Sequence, residues 1–255
     1  MALKLLSLSM KYIYILLLLL LVSISCKNET LLTFETLLIE DKTCKNCPAV
    51  TIDIPKALEK TTISKNINTA LQEEIIILLN FDEATNVTSI KTAIVSFNEG
   101  YNKLKDKFPE ESTKWEAVIN GEVLYENKDI LTIALDSYIF TGGAHGYSAK
   151  KYLNFSKKNG AEIENWELFN TKFNFEKFAE IKFRIQENIP QDQPINYTGF
   201  MFEEDAFYLP ENIGFTPNGI QLLYNQYEVS SFAEGPIEVT IPYSEVKKYL
   251  AVKVK

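Results

Sequence analysis

The only histidine of the chain lies in a glycine-rich segment, Thr141-Gly142-Gly143-Ala144-His145-Gly146-Tyr147. Histidine is the side chain that titrates nearest to neutral pH when unperturbed, so it is the first candidate for acid–base chemistry or ligand contact. Three glycines within five residues free the backbone for a positive φ or for a close approach to another group. We therefore predict a special local shape here and take residues 141–147 as the candidate binding site.

A catalytic role for His145 would need partner residues that the sequence does not clearly supply. A nucleophile triad combines histidine with a serine or cysteine and an orienting acid, and Asp136, Ser137 and Ser148 are nearby. None of them lies in a G-x-S-x-G turn. A hydrolytic zinc site would want about three protein ligands, usually histidines. We predict no catalytic residue, no metal site and no cofactor, and expect His145 to bond to backbone groups; contact with a ligand is the alternative.

The elements around this segment predict an α+β fold. Apolar residues recur at steps of three and four in residues 61–80, 89–108 and 174–189, which indicates three packed helices. A short C-terminal helix should open at Pro242 and end near Leu250. Apolar and β-branched runs predict seven strands, which are Phe34–Glu40, Val50–Ile54, Trp115–Tyr125, Ile130–Phe140, Ala149–Phe155, Gly219–Ser230 and Ile237–Ile241. Because strands and helices do not alternate regularly, we expect mainly antiparallel sheets.

The first 26 residues resemble a bacterial lipoprotein signal. Lys4 and Lys11 precede the apolar run 12–22, which is shorter than the roughly 20 residues of a spanning helix. Small residues then lead to Cys26, as in a lipobox, where the cysteine is lipidated and becomes the mature N-terminus. We predict a signal peptide over residues 1–25, a tether over 26–32 and an extracytoplasmic, lipid-anchored location in the cell envelope. An uncleaved anchor helix is the alternative.

Two further cysteines, Cys44 and Cys47, are spaced C-x-x-C. A thioredoxin-type redox motif should be followed by a helix, whereas a strand-like run follows here. Half a zinc site would need two more ligands. A short structural disulfide suits an oxidising envelope compartment and is our main interpretation.

Charge and composition narrow the range of partners. The chain of 255 residues has a formal net charge of −8 and a single arginine, Arg184. Nucleic-acid binding favours basic, arginine-rich surfaces, so we exclude that class. The 16 Phe and 13 Tyr indicate a packed core.

We place an approximate boundary near residue 110. It divides an N-terminal part, residues 33–110, from a C-terminal part, residues 111–255.

Four stretches of the chain resemble a bacterial envelope family catalogued as domain of unknown function 3298, usually preceded by its partner domain 4163. Tyr138 to Gly146 is similar to the family run Y-x-Y/F-T-G-G-A-H-G/P. The other three stretches are Tyr152 to Phe169, with its asparagine, glycine and Leu-Phe pair, Gly219 to Val229, with Y-N-x-Y-E, and Gly235 to Ser244, with I-P-Y-S. The likeness covers roughly residues 34–250. It implies that residues 33–110 are 4163-like and that residues 111–255 are 3298-like.

This resemblance implies a binding function. In some family members this module is the extracytoplasmic part of an anti-sigma factor that senses lysozyme by binding it. In others it precedes a peptidoglycan deacetylase domain, and many members are free-standing lipoproteins. We find no second apolar segment and no following catalytic domain, so we expect the free-standing form. We expect a non-catalytic module that binds a lysozyme-like protein or peptidoglycan. The alternatives are an envelope glycan hydrolase or deacetylase that uses His145, and a structural lipoprotein without a diffusible ligand.

Overall fold

The computed structural model describes residues 31–42, 47–81, 86–110 and 113–254. Leu31 to Lys255 form one compact unit. The predicted signal peptide, the lipidation site Cys26 and most of the predicted tether lie outside the described residues. Within the described parts of the chain, no helix is both long enough and apolar enough to cross a membrane.

The larger sheet has five strands in the order β1-β2-β3-β4-β5. These strands are β1 (Phe34–Asp41), β2 (Ala49–Ala57), β3 (Glu116–Glu126), β4 (Ile130–Phe140) and β5 (Tyr147–Ser156). The pair β2–β3 is parallel, and the other neighbours are antiparallel. A parallel pair needs a long crossover connection, which two helices provide here. Strand β5 forms one edge of the sheet and follows directly from the candidate loop.

Helices α1 (Thr62–Leu79) and α2 (Ile90–Lys107) make this crossover and cover the sheet. The Thr61 side chain accepts a hydrogen bond from the Ser64 amide at 3.2 Å and so caps α1. A capping box of Ser89 and Thr92 starts α2, and such caps stabilise a helix end by roughly 1 kcal/mol. The apolar faces of both helices pack with the sheet in one core, which includes Ile67, Leu71, Ile75 and Phe97 of the helices and Ile52, Leu131, Ile133 and Leu135 of the sheet.

The smaller sheet is antiparallel and has the order β6-β7-β8. Its strands are β6 (Asn212–Thr216), β7 (Gly219–Tyr224) and β8 (Ile237–Ile241), and it packs with helix α3 (Lys172–Gln186) and the short helix α4 (Tyr243–Val246) in a second core. Hydrogen bonds that involve side chains join the sheets: Asn154 Nδ2 donates to Ile213 O at 2.7 Å, Tyr152 Oη to Gln221 Oε1 at 2.9 Å, and Phe215 N to Thr132 Oγ1 at 3.4 Å. The second sheet is therefore held against β5.

The predicted fold class is confirmed: the protein is α+β, with mainly antiparallel sheets, three packed helices and a short C-terminal helix. Strands from both sides of the predicted boundary at residue 110 pair in the larger sheet, since β2 precedes the boundary and β3 follows it. The division into parts 33–110 and 111–255 stays a prediction about the sequence.

Several local predictions were wrong. An Asn-Gly pair such as Asn120-Gly121 is typical of a turn, but β3 continues there and its irregularity lies between Val123 and Tyr125. A Cβ on Gly121 would come within 2.9 Å of side chains on β2 and β4, so close packing explains this glycine. Strand β6 was missed, and the C-terminal helix ends at Val246 rather than near Leu250.

The strand predicted over Gly219–Ser230 also ends early. Strand β7 stops at Tyr224, and the residues that follow turn back, with Tyr227 at a φ of 68°. A left-handed residue cannot continue a strand. This turn matters because it contributes directly to the candidate site.

Candidate functional site

The loop Thr141–Gly146 joins β4 to β5 and has the special shape predicted from its glycines. Gly142 and Gly143 have φ values of 101° and 89°. No atom lies within 4 Å of a Cβ built on either residue, so their backbone conformation, and not a shortage of space, favours glycine. Gly146 differs, because a Cβ there would clash with the ring of Tyr138. The chain thus reverses direction at Gly142 and Gly143, and Gly146 packs closely against the ring of Tyr138.

His145 is exposed on this loop. Its Nδ1 lies 3.1 Å from the carbonyl oxygen of the next residue, Gly146, a distance at which a protonated Nδ1 donates a hydrogen bond. Its ring stacks on Phe232, with ring centroids 4.2 Å apart and planes 20° apart. The predicted backbone bond is present, but it is local. The contact that links the loop to another element is the ring stack, which the sequence did not indicate.

Two of the three residues considered as catalytic partners of His145, Ser137 and Asp136, have other contacts. Ser137 is buried in β4, and its hydroxyl donates to Ala149 O at 3.2 Å. Asp136 pairs with Lys150, with 3.5 Å between the charged atoms. Neither is hydrogen-bonded to His145 in the described parts of the chain. The geometry therefore brings together aromatic side chains around His145 and does not assemble the triad considered above.

We call His145, Tyr147, Tyr227 and Phe232 the aromatic patch. Tyr227 lies 5.4 Å from Phe232 between ring centroids. Tyr147 Oη donates a hydrogen bond to the backbone carbonyl of Gln226 at 3.4 Å. Tyr147 is 44% exposed and Tyr227 is 57% exposed. Two aromatic faces are thus available to solvent beside the stacked pair of His145 and Phe232.

The turn Asn225–Glu228 carries Tyr227 of this patch and accepts the hydrogen bond from Tyr147. The Asn225 carboxamide accepts a hydrogen bond from Lys150 N and donates one to Lys150 O, each at 2.9 Å. The Glu228 carboxylate accepts from Asn225 N at 2.9 Å and so closes the turn. The turn is therefore fixed to β5 at one side and presents Tyr227 at its tip. Sequence reasoning missed it, although the Y-N-x-Y-E run marked these residues.

A groove of about 620 Å³ opens beside the aromatic patch; we call it the aromatic groove. Its lining residues are Tyr147, Tyr208, Leu209, Glu211, Asn212 and the turn Asn225–Glu228. It combines phenol rings with carboxylate and carboxamide groups. Five of its nine lining residues are polar or charged and three of the others are tyrosines, so the groove suits a polar ligand with apolar faces.

Glu228 is the half-buried acid of the aromatic groove. Burial raises the pKa of its carboxyl group, and the Glu211 carboxylate raises it further, while hydrogen bonds from the backbone of Asn225 and Glu211 act in the opposite direction. The pKa values of Tyr147 and Tyr208 are also raised, by burial first and then by the charge of Glu228. The charge of Glu228 is thus close enough to both phenols to raise their pKa values.

The predicted disulfide and the predicted absence of metal ligands concern other parts of the molecule. Cys47 is disulfide-bonded, and Cys44 lies outside the described residues, so the pairing of Cys44 with Cys47 stays a prediction. Among the residues that the structure describes, no three His, Cys, Asp or Glu side chains are grouped closely enough to hold a metal ion.

Comparisons with known proteins agree with the architecture of two sheets and covering helices. Residues 41–148 match the family model described as Deacetylase PdaC, a match that runs past the predicted boundary and ends just after the candidate loop. A search of curated proteins gave no match. The predicted resemblance is confirmed: this region matches the PdaC deacetylase domain (DUF4163), and DUF3298 proteins match in structure over most of the chain.

Two crystal structures carry that similarity of fold. One is a member of the DUF3298 family from Bacteroides fragilis, with a TM-score of 0.68 and 20% identity, covering 88% of this chain and 96% of that protein's chain. The other is a DUF3298 family protein from Pseudomonas aeruginosa PAO1, with a TM-score of 0.60 and 21% identity over the same shares. At these identities the likeness establishes the fold alone.

Proposed function

We propose that this protein is a lipid-anchored, non-catalytic module of the cell envelope that binds peptidoglycan at the aromatic groove. The observation that carries the proposal is the exposed aromatic patch beside a groove with carboxylate and carboxamide groups. Exposed Tyr147 and Tyr227 offer rings with polar tips, which suit ligands that have both apolar faces and polar edges. Sugar rings have this character, since C–H groups form their faces and hydroxyl and acetamido groups their edges.

The polar groups of the groove fit the edges of such a ligand. Glu228 can accept hydrogen bonds from sugar hydroxyls, and the phenol oxygen of Tyr147 can accept one while its proton is donated to Gln226 O. The carboxamide of Asn212 can donate and accept. The position of the half-buried Glu228 among partly exposed rings supports a site where a ligand displaces water from both kinds of surface.

The location in the envelope is the second part of the proposal. The run from Ser23 to Cys26 supports lipidation at Cys26, and the disulfide at Cys47 is typical of proteins in an oxidising compartment. A membrane-anchored protein outside the cytoplasm would face peptidoglycan directly.

A lysozyme-like protein is the other binding partner to test. Binding of the full chain to insoluble peptidoglycan can be measured by co-sedimentation, and binding to immobilised lysozyme by surface capture at the same protein concentration. The proposal expects co-sedimentation that soluble peptidoglycan fragments inhibit. Capture by lysozyme without co-sedimentation would show that the ligand is the protein and not peptidoglycan. If neither binding is observed, the structural alternative remains.

The name of the matched family model keeps an enzyme as a second candidate, either a glycan hydrolase or a deacetylase that uses His145. Release of acetate and of reducing ends from peptidoglycan would be measured for the full chain and for His145→Ala. Activity that disappears in a folded His145→Ala variant would favour the enzyme. The non-catalytic proposal expects no product above the background of both preparations.

A further inference from the structure

A second groove adjoins the aromatic groove along the outer edge of β5; we call it the edge groove. It has a volume of about 570 Å³ and is lined by β5 residues, by Glu74 and Leu78 of α1 and by the segment Glu162–Asn165. Glu211, Asn212 and Asn225 line both grooves. A ligand with a branch could therefore occupy both at once, with the branch point near Asn225.

The β5 edge is covered on both sides of one residue. In an antiparallel edge strand, the N–H and C=O groups of alternate residues face away from the neighbouring strand. Lys150 uses its outward groups to bond the Asn225 carboxamide. Four residues further along the strand, Asn154 O accepts a hydrogen bond from Ile163 N at 2.7 Å. Tyr152 lies midway between them; it is a largely buried residue that lines the groove. Its backbone faces the same side, and neither covering segment bonds to it.

The Asn225 carboxamide shows what kind of group fits this edge. One amide makes both of the hydrogen bonds that a residue of an added strand would make with Lys150. A peptide unit placed next to it would find the N–H and C=O of Tyr152 at the strand repeat of about 6.6 Å per two residues. Addition of an extended peptide to a sheet edge is a known mode of recognition.

The charges around the edge groove select among peptides. Lys150 and Lys151, its two lysines, already pair with Asp136 and Glu74. In the described parts of the chain, Glu162, Glu164 and Glu211 form no ion pair within 4.0 Å. Burial raises the pKa of Glu162, and the charge of Lys151 acts in the opposite direction. The rim is therefore negative on balance, and it complements a ligand that carries a primary ammonium group.

We propose that the edge groove binds a short, extended peptide with an ammonium-bearing side chain, namely the peptide branch of peptidoglycan. The inference rests on the proposed function, since the glycan would lie in the adjoining aromatic groove. The peptide pairs with Tyr152 as an added strand, and its ammonium group lies at Glu162. The volume lies within the range of about 300–1,000 Å³ that is usual for small-ligand pockets, which suits a peptide of a few residues.

Calorimetric titration of the full chain with four probes tests this inference. The probes are a disaccharide-peptide with a free side-chain amine, the same compound with the amine acetylated, the disaccharide alone, and the free peptide. We expect the first to bind about tenfold more tightly than the second or third, since a hydrogen bond to a charged group contributes roughly that factor. Methylation of the peptide nitrogens should weaken binding as well, because it removes the donors to the strand edge.

Glu162→Gln provides the matched variant, with Glu116→Gln, an exposed acid at the start of β3, as its control. Glu162→Gln should reduce affinity for the free-amine compound to that of the acetylated compound and leave binding of the disaccharide unchanged. Equal affinities for the first three probes would overturn the peptide site and leave the glycan proposal standing. Binding of the free peptide with no contribution from the disaccharide would overturn the glycan proposal and leave the peptide site standing.

Discussion

The side chain of Asn225 pairs with the backbone of Lys150 through two hydrogen bonds of 2.9 Å, in the way that a neighbouring strand would. This pairing joins the turn after β7 to the edge strand β5. It brings Tyr227 and Glu228 to the loop that carries His145 and Tyr147. The candidate site therefore depends on a contact between residues 75 positions apart in the chain.

The first prediction concerns the stability of this contact. Asn225→Ala leaves Lys150 N and O without their partner, and we expect the free energy of unfolding to fall by about 1–3 kcal/mol. Urea unfolding followed by circular dichroism measures this value. Gln226→Ala is the control next to it, and it should change the free energy by less than about 0.5 kcal/mol. Equal effects of the two substitutions would contradict the bridging role of Asn225.

The second prediction concerns the packing of the candidate loop. Gly146→Ala places a methyl group against the outer end of the partly exposed Tyr138 ring. The ring can move aside, so we expect a cost of about 1 kcal/mol, the lower end of the range for overpacking. Tyr138→Ala makes room, so the double variant should be more stable than the sum of the single effects predicts. Unfolding measurements on the four proteins give the coupling energy. Additive effects would show that Gly146 is not held by Tyr138.

The third prediction concerns pH. Burial raises the pKa of Glu228 in the folded state, so the unfolded chain releases this proton at a lower pH than the folded protein does. The contribution of Glu228 to stability therefore falls as the pH rises above about 4.5. Glu228→Gln removes this titration and keeps an acceptor for Asn225 N. As the pH rises from about 4 to about 7, the free energy of unfolding of the variant should increase relative to that of the wild type.

Urea unfolding at several pH values tests this effect. Tyr147, Tyr208 and Glu211 surround Glu228, and the two phenols stay neutral over this pH range. A free-energy difference between wild type and Glu228→Gln that does not change with pH would contradict the raised pKa.

Local patterns predicted most of the elements but only part of the site. Periodicity identified α1 and α2 because their buried residues recur every three or four positions. The loop at Gly142 and Gly143 could be predicted because glycine has a direct effect on backbone conformation. The stack of His145 on Phe232 could not, since nothing in either local sequence specifies a partner 87 positions away.

The turn after Tyr224 shows a different limit. Its residues are apolar or aromatic at alternate positions, so the pattern predicts a continued strand. The strand ends because the Asn225 side chain forms hydrogen bonds with the backbone of Lys150 and because Tyr227 adopts a left-handed conformation. Tertiary contacts thus override the local preference for a strand, and the affected residues are those that form the aromatic groove.

The central claim, that peptidoglycan binds at the aromatic groove, is tested most directly by the affinity of Tyr147 variants for soluble peptidoglycan fragments. Calorimetric titration would compare Tyr147→Ala with Tyr147→Phe, which keeps the ring, and with Tyr197→Ala, which removes another exposed tyrosine. We predict that Tyr147→Ala weakens binding about tenfold, or about 1.4 kcal/mol. Tyr147→Phe, which loses only the phenol oxygen, should weaken it less, and Tyr197→Ala should bind nearly as the wild type does. Equal dissociation constants for Tyr147→Ala and the wild type would contradict the account.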